Sequence, residues 1–560
     1  MAMASLTSRF LGLLRDRILA GKFGAGDELD VYFAAFRVPD LIYNLLVVGA
    51  LTAGFIPVFT SYWKKQKNSC HSEGALRLHS AQAPRPKNLN EEILHSVPKR
   101  TVRDSVQDDK KDKEAWYLAN DLLNIIALGL IVVCGIAAVF AKQIVPLITP
   151  GFNPVKIDLT INLTRLIFLS PIFLGISGVF SGILQSFKNF IAFSLAPIFY
   201  NLGIIFGAVF LTKFFGIYGL GIGVILGAFL HMLIQIPPAF SFGFRYKFIL
   251  DFYHEGVRRI GKLMVPRTFS IGLSQINFLA MTIIASTLVV GSLAVFNFAY
   301  NIYTFPLGIV AASYAIAAFP TLTHWAHRKD WHNYAKSFSS AFSQILFFII
   351  PASALLIVLR AQIVRVILGT GMFDWQDTIL TINVLQFLVL GLFADALVLL
   401  LIRGFFAVED TKTPFYLGVF DTLVRVAGAY FLSRYFGVAG MAMGFALGCV
   451  VYVILLWFFL RKKIGELDQR KIISSAAKIL IASVLAGLSA FATLHIFADL
   501  VNMRTLLGIF TQGLIAGLVG IIIYIAAGLI LRSEEMFGFW QTITHRLPWI
   551  KVAPKEEIIE

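Results

Sequence analysis

Apolar residues in this chain fall into stretches of roughly twenty residues, separated by short polar connections. A stretch of that length, wound as one α-helix, crosses the ~30 Å hydrocarbon core of a bilayer. About fourteen such stretches lie between residues 6 and 531. The pattern predicts an all-α polytopic membrane protein, because only helices and closed barrels satisfy every backbone polar group within lipid.

Two pairs of similar segments recur in the same order along the chain. Leu211–Gly227 parallels Leu432–Gly448 at a displacement of 221 residues, and Phe55–Trp63 parallels Ala318–Ala326 at a displacement of 263. The difference of 42 residues is close to the extra length of the first half's long polar segment, Lys64–Ala115. We therefore predict two six-helix lobes related by a parallel repeat around a central cavity, which is a transporter architecture, plus two C-terminal helices.

The predicted domains follow from this repeat. They are an N-lobe (1–240), a C-lobe (241–463), two further helices (464–532) and a cytoplasmic tail (533–560). The insertion 64–115 within the N-lobe mixes charges, Ser, Asn, Gln and Pro with few large apolar residues, so it is predicted to be disordered. A tolerated insertion is favoured over a regulatory or partner-binding loop.

The distribution of charge predicts the orientation in the membrane. The chain has 58% hydrophobic and 14% charged residues, with a formal net charge of +16. Lys and Arg concentrate in alternate connections, at 64–113, 245–262, 328–336 and 461–471. This is the positive-inside pattern, and it predicts that both termini are cytoplasmic. The basic charge is therefore assigned to topology and to anionic lipid headgroups rather than to nucleic acid.

Ionisable residues within apolar stretches are costly and mark functional positions. Asp30, Arg37 and Asn44 recur every seven residues and so share one stripe of a helix. Arg15 lies inside the first stretch, and Arg9 lies near its start. We predict that Arg15 and Arg37 line a water-filled cavity. For Arg9 and Asp30, snorkelling to the headgroups is an equally good interpretation.

The second half carries its own candidates. Asp421 and Asp395 could bind the Na⁺ or proton that drives a transport cycle, although Arg425, four residues after Asp421, could simply neutralise it. Pro39 and Pro306 interrupt predicted helices and are candidate hinges, with static curvature as the alternative. The three cysteines are scattered and have no disulfide or metal-ligand spacing, so no metal site is predicted.

Several segments resemble the signature of the lipid II flippase family, called MurJ or MviN. They are SRFLGLLRDRILAGKFGAG (8–26), DVYFAAFRVP (30–39), GALTAGFIP (49–57), PGF (150–152), FPLGIVAASYAIAAFP (305–320) and RGFFAVEDTKTP (403–414). The resemblance covers nearly the whole chain apart from the insertion and the C-terminal tail. It implies the fold of the multidrug/oligosaccharidyl-lipid/polysaccharide exporter superfamily: fourteen helices, the last two forming a groove for a lipid tail.

The resemblance implies a function in cell wall synthesis. Such a protein exports undecaprenyl-pyrophosphate-linked peptidoglycan precursor, lipid II, from the inner to the outer leaflet of the bacterial plasma (inner) membrane by alternating access. Arginine suits this cargo because it binds phosphate oxygens bidentately and stays charged. By position, the resemblance implies that Arg15 binds the pyrophosphate and that Asp30 is its gating or ion-pair partner. Arg9 and Arg37 are expected to add to the positive electrostatic field around this site.

The chain departs from the family pattern at several expected cavity positions. The better-studied members carry an Arg-Arg pair where Tyr43 and Asn44 stand, a Glu at Val48 and an Arg at Asn301. Asn44 and Asn301 therefore join the expected substrate-binding residues, together with Arg267, which is the candidate replacement for one lost charge. A variant lipid-linked precursor stays open.

Other functions also stay open from the sequence. The nearest is a flippase for another polyprenyl-linked oligosaccharide; a cation-coupled drug exporter would favour an apolar, acidic cavity. A membrane-embedded enzyme would need acidic catalytic residues on a substantial outward loop, and a scaffold would not need cavity arginines, so we expect no enzymatic activity and no catalytic residues. We expect a monomer that needs no cofactor beyond a coupling cation (Na⁺ or H⁺) or the membrane potential. Its expected partners are the lipid-linked substrate, membrane lipids and cell-wall synthesis proteins.

Overall fold

The computed structural model describes residues 2–48, 54–63, 102–503 and 505–539. In this part of the chain all regular secondary structure is helical and no strand occurs, so the predicted all-α class is confirmed. Ten of the helices are long and apolar enough to cross a membrane, and a bent pair makes an eleventh candidate.

Among the described residues, eleven helices precede residue 242. Their bounds are α1 (Ala2–Phe23), α2 (Asp27–Tyr43), α3 (56–63), α4 (Val102–Val139), α5 (Ala141–Ile148), α6 (Pro154–Ile167), α7 (Leu169–Ser186), α8 (Phe190–Phe206), α9 (Thr212–Phe215), α10 (Ile217–Leu233) and α11 (Ile236–Ser241).

Ten further helices follow up to residue 530. Their bounds are α12 (Glu255–Ser286), α13 (Ser292–Pro306), α14 (Ala312–His327), α15 (Trp331–Val358), α16 (Arg360–Ile367), α17 (Trp375–Leu390), α18 (Leu392–Ala407), α19 (Lys412–Ile464), α20 (Gln469–Ile496) and α21 (Leu506–Ile530).

Four features explain why fewer than fourteen candidate spans appear among the described residues. Helix α19 is 53 residues long and joins two helical segments at Gly437, where the backbone is not helical. Helix α1 is rich in charged residues, and α12 is apolar only over Ile271–Ser286. Helices α17 and α18, bent by 42°, together form one candidate span.

The chain forms two compact units. The first comprises Met1–Leu11, Ala35–Val145 and Asp158–Gln275. The second comprises Gly12–Ala34, Pro146–Ile157 and Ile276–Glu560. These units are not the continuous segments drawn from the repeat, because the turn between α1 and α2 packs with residues of the second half.

Two turns of π-helix mark equivalent places in the repeat. One follows α2 at Asn44–Val48 and the other follows α13 at Leu307–Ala311, so their first residues are 263 positions apart. A π turn accommodates one extra residue and often accompanies a functional site. Pro39 lies shortly before the first turn and Pro306 immediately before the second. Both candidate hinge prolines thus adjoin irregular helix, and their bending during transport stays a prediction.

The predicted disordered insertion is partly wrong. Residues 64–101 lie outside the described residues, but helix α4 already begins at Val102 and runs without interruption into its apolar part. Extending an existing helix adds one hydrogen bond per residue, whereas starting a new one is costly. The polar residues 102–115 are therefore helical because they continue an apolar helix.

Candidate functional site

Arg15 of α1 is held by the carboxylate next to it. Its Nε and Nη2 atoms donate to Oδ1 of Asp16 at 3.0 and 2.8 Å. The other carboxylate oxygen, Oδ2, accepts from Nδ2 of Asn301 on α13 at 2.8 Å. Asp16 is buried, whereas the Arg15 side chain is 22% exposed. A buried carboxylate requires such partners, so Asp16 both anchors the guanidinium and joins α1 to α13.

Asp30 forms a second buried cluster within the same unit. Its Oδ2 accepts from Nζ of Lys156 and from the backbone N–H of Gly291, both at 2.9 Å. Its Oδ1 accepts from the N–H of Ala294 at 3.0 Å. These two amides belong to the start of α13, so Asp30 caps that helix and complements its dipole. Lys156 also pairs with the exposed Asp27 at 2.7 Å.

Asp30 and Arg15, expected to be gating or ion-pair partners, have different ionic partners in this structure. Asp30 pairs with Lys156, and Arg15 pairs with Asp16. Sequence reasoning placed neither Asp16 nor Lys156 among the predicted site residues. A signal for Lys156 was present, because it stands alone in a predicted outward connection where the positive-inside pattern leaves few basic residues.

The other predicted substrate-binding residues lie in the first unit. Asn44 donates from Nδ2 to the backbone carbonyl of Asp40 at 2.9 Å, and the charge of Arg37 acts on the Asp40 carboxylate. Arg9 is half-buried near the start of α1. Arg267 lies on α12, and its side chain is outside the described residues.

The first unit contains a cavity of about 210 Å³. Helices α2, α6, α7, α8 and α10 line it. Its polar lining comes from Asp40, Tyr43, Ser170, Tyr200 and His231. The remaining lining is apolar and includes three prolines, one of which is the candidate hinge on α2.

A charged group in the second unit contains both candidate coupling carboxylates. Nε of Arg425 donates to Oδ1 and Oδ2 of Asp421 at 2.8 and 2.9 Å. Asp395 accepts from the hydroxyl of Tyr303 at 3.0 Å, and its Oδ1 lies 3.9 Å from Nη2 of Arg425. The guanidinium also lies over the ring of Phe445, 4.5 Å from its centroid. Two carboxylates therefore share one buried cation.

The family model described as "Lipid II flippase MurJ" matches residues 19–75 and 103–511. The chain belongs to the lipid II flippase family. One relative is a probable lipid II flippase MurJ of Buchnera aphidicola, which is 27% identical over 519 residues and covers 89% of each chain. Another is the lipid II flippase MurJ of Burkholderia cenocepacia, which is 25% identical over 467 residues and covers 82% of each.

Solved structures show the same fold. A lipid II flippase MurJ in an inward closed conformation superposes with a TM-score of 0.70 at 23% identity, covering 97% of this chain and 98% of that one. An inward-facing multidrug resistance MATE transporter of the MOP superfamily gives a TM-score of 0.62 at 17% identity, covering 84% of this chain. The fold expected from the resemblance is confirmed.

Proposed function

We propose that this protein exports lipid II from the inner to the outer leaflet of the bacterial plasma membrane by alternating access, and that it does so without chemically converting its cargo. Family membership supports the substrate class. The observation that carries the proposal at residue level is the partly exposed guanidinium of Arg15, anchored on the buried Asp16. A pyrophosphate needs a cation of fixed direction, and this pair supplies one.

In this proposal Asp30 acts as a latch. Its carboxylate holds Lys156 and the first amides of α13, so separating the α1–α2 turn from α13 requires breaking these bonds together. With the N-terminus in the cytoplasm, as the charge pattern predicts, the α1–α2 turn lies on the outward side. The latch is then closed when the protein awaits cargo from the cytoplasmic leaflet.

A coupling cation acts most simply at Asp395. Both oxygens of Asp421 already bind Arg425, whereas Asp395 is held by one hydroxyl and a 3.9 Å contact, and its side chain is 23% exposed. If Na⁺ or H⁺ drives export, Asp395→Asn should abolish the response to that gradient in proteoliposomes. Export driven by membrane potential alone would respond equally in wild type and Asp395→Asn.

The experiment that tests the function is complementation in a bacterium depleted of its own lipid II flippase. Wild type and Arg15→Lys, Arg15→Ala and Arg258→Ala variants would be compared, with protein amounts checked by immunoblot. Arg258 is the matched control, because it is an exposed arginine that stacks on Tyr253 outside the site.

We expect rescue by wild type and Arg258→Ala, and none by Arg15→Ala. Arg15→Lys should rescue weakly, because a lysine cannot bind pyrophosphate bidentately. Rescue by Arg15→Ala would overturn the site assignment while keeping the function. Failure of well-expressed wild type would instead favour another polyprenyl-linked oligosaccharide as cargo, to be tested with the native cell-wall synthesis proteins supplied as partners.

A further inference from the structure

We propose that the cavity of the first unit binds an organic ammonium group, with Asp40 as its counter-ion. Among the described residues that line the cavity, Asp40 carries the one formal charge when His231 is neutral, and that charge is negative. The cavity is therefore unsuited to a pyrophosphate and suited to a cation.

The Asp40 carboxylate keeps capacity for a ligand. Arg37, three residues earlier on α2, acts on it electrostatically but is not among the lining residues. Asn44, in the following turn, donates to the backbone carbonyl of Asp40. A carboxylate has about four acceptor positions, and these two neighbours do not fill them. The face toward the cavity can then accept hydrogen bonds from an ammonium group.

Aromatic rings complete the arrangement expected for such a ligand. Phe36, Tyr43 and Tyr200 line the cavity together with Asp40. The face of an aromatic ring attracts a cation, more strongly when the cation is desolvated. A carboxylate flanked by aromatic rings is the chemistry that recognises amines and quaternary ammonium ions.

His231 is held in place from one side. Its Nδ1 lies 2.7 Å from the hydroxyl of Ser177, and Gln235 donates to that same hydroxyl at 2.7 Å. Gln235 also accepts from Ser181 at 2.6 Å. The ring packs edge-on to Tyr200, with centroids 6.4 Å apart. Its Nδ1 edge is thus engaged.

The volume of the cavity limits the size of the ligand. A cavity of about 150 Å³ accepts benzene, so one of about 210 Å³ accepts a benzylammonium-sized group. Two sources share this chemistry: a free organic ammonium ion, or an amine on the headgroup of the exported lipid. Only the second depends on the proposed function, because binding of a free ion does not require transport.

The first experiment measures binding of benzylammonium to the purified full-length protein by calorimetry, with sodium chloride as the ionic-strength control. The variants are Asp40→Asn, Tyr200→Leu and Asp158→Asn. Asp158 is the matched control, an exposed carboxylate in the same unit that is not among the cavity-lining residues. Size-exclusion chromatography would confirm that each variant is folded.

We expect saturable binding that is weakened at least tenfold by Asp40→Asn, weakened by Tyr200→Leu and unchanged by Asp158→Asn. Tyr200→Leu keeps the test valid if Asp40→Asn fails to fold. Absence of saturable binding to wild type, or equal binding to Asp40→Asn, would overturn the proposal.

A second arm assigns the source of the amine. Export of lipid II with a free or an acetylated headgroup amine would be compared in proteoliposomes of wild type and Asp40→Asn. A preference for the free amine that is lost in Asp40→Asn assigns the cavity to the cargo. Equal export of both lipids by wild type, alongside Asp40-dependent binding of the probe, assigns it to a free ammonium ion. Absence of export altogether would count against the proposed function and leave the binding result standing.

Discussion

Gly216 and Gly437 have the same unusual backbone conformation, with φ/ψ of 55°/−138° and 57°/−138°. They stand 221 positions apart, the displacement of the repeated segments that contain them. A Cβ atom at either position would meet no heavy atom within 4 Å. Glycine is therefore required by the backbone angles and not by space, and the same turn is built twice.

Replacing either glycine by alanine should destabilise the protein. We expect Gly216→Ala and Gly437→Ala each to cost about 1–3 kcal/mol, because a side chain is strained at these angles. Gly129→Ala is the control, since Gly129 lies within α4 and a Cβ there also meets nothing within 4 Å. It should be neutral or stabilising by up to about 1 kcal/mol. Thermal denaturation in detergent would measure these changes in stability. Equal changes at all three sites would show that the backbone angles of Gly216 and Gly437 do not require glycine.

Asp16 should matter to export through Arg15. Asp16→Asn removes the charge that directs the guanidinium, and we expect export to fall on the order of 100-fold because the cation is misplaced. Asn301→Ala removes one neutral hydrogen bond, worth about 1 kcal/mol, and should reduce export by less than about tenfold. Rates in proteoliposomes containing equal amounts of folded protein are the measurement. A larger loss in Asn301→Ala than in Asp16→Asn would show that the contact between α1 and α13 matters more than the direction of Arg15.

Lys156 should stabilise the closed α1–α2 turn. Lys156→Met leaves Asp30 buried without its cation, and breaking such a pair costs about 3–5 kcal/mol. The two backbone N–H bonds to Asp30 remain, so we expect the lower end of this range. Changing both partners, as Asp30→Asn with Lys156→Met, should restore part of the stability. A double variant as unstable as the sum of the single variants would mean that the two side chains do not interact.

The loop before α19 should make a contribution to the stability of the fold that depends on pH under acidic conditions. Desolvation alone would raise the pKa of Asp410, but hydrogen bonds from Nζ of Lys463 and from the backbone N–H and hydroxyl of Thr413 outweigh it and lower the pKa to about 2. Because this value is below the unfolded-state value of 3.8, ionised Asp410 stabilises the fold above about pH 4, and the stabilisation is lost as the pH falls through about 2.

Comparison with Asp410→Asn tests this contribution. The difference in melting temperature between wild type and Asp410→Asn should be constant from about pH 7 to pH 5 and shrink below about pH 4. Glu466→Gln, at an exposed carboxylate three residues after Lys463, should show no such trend. A difference that stays constant down to about pH 3 would place the stabilisation elsewhere.

The sequence by itself determined the membrane class, the helical content and the repeat, because each rests on local patterns. Apolar stretches of this length require helices in lipid. The displacement of 221 residues relates Gly216 to its equivalent Gly437, and the displacement of 263 relates the π turn at Asn44–Val48 to the one at Leu307–Ala311. The family resemblance could likewise be recognised from the sequence, because it rests on short continuous motifs.

Only the tertiary structure decided which charges meet. Asp30 and Lys156 are 126 residues apart, and Asp16 and Asn301 are 285 apart. A helical stripe shows that a charge needs a partner but cannot say which one, because the partner is set by how helices pack. Burial then selected the pairs: Asp16 and Asp30 are both buried, and each takes the donors that packing places within hydrogen-bond distance.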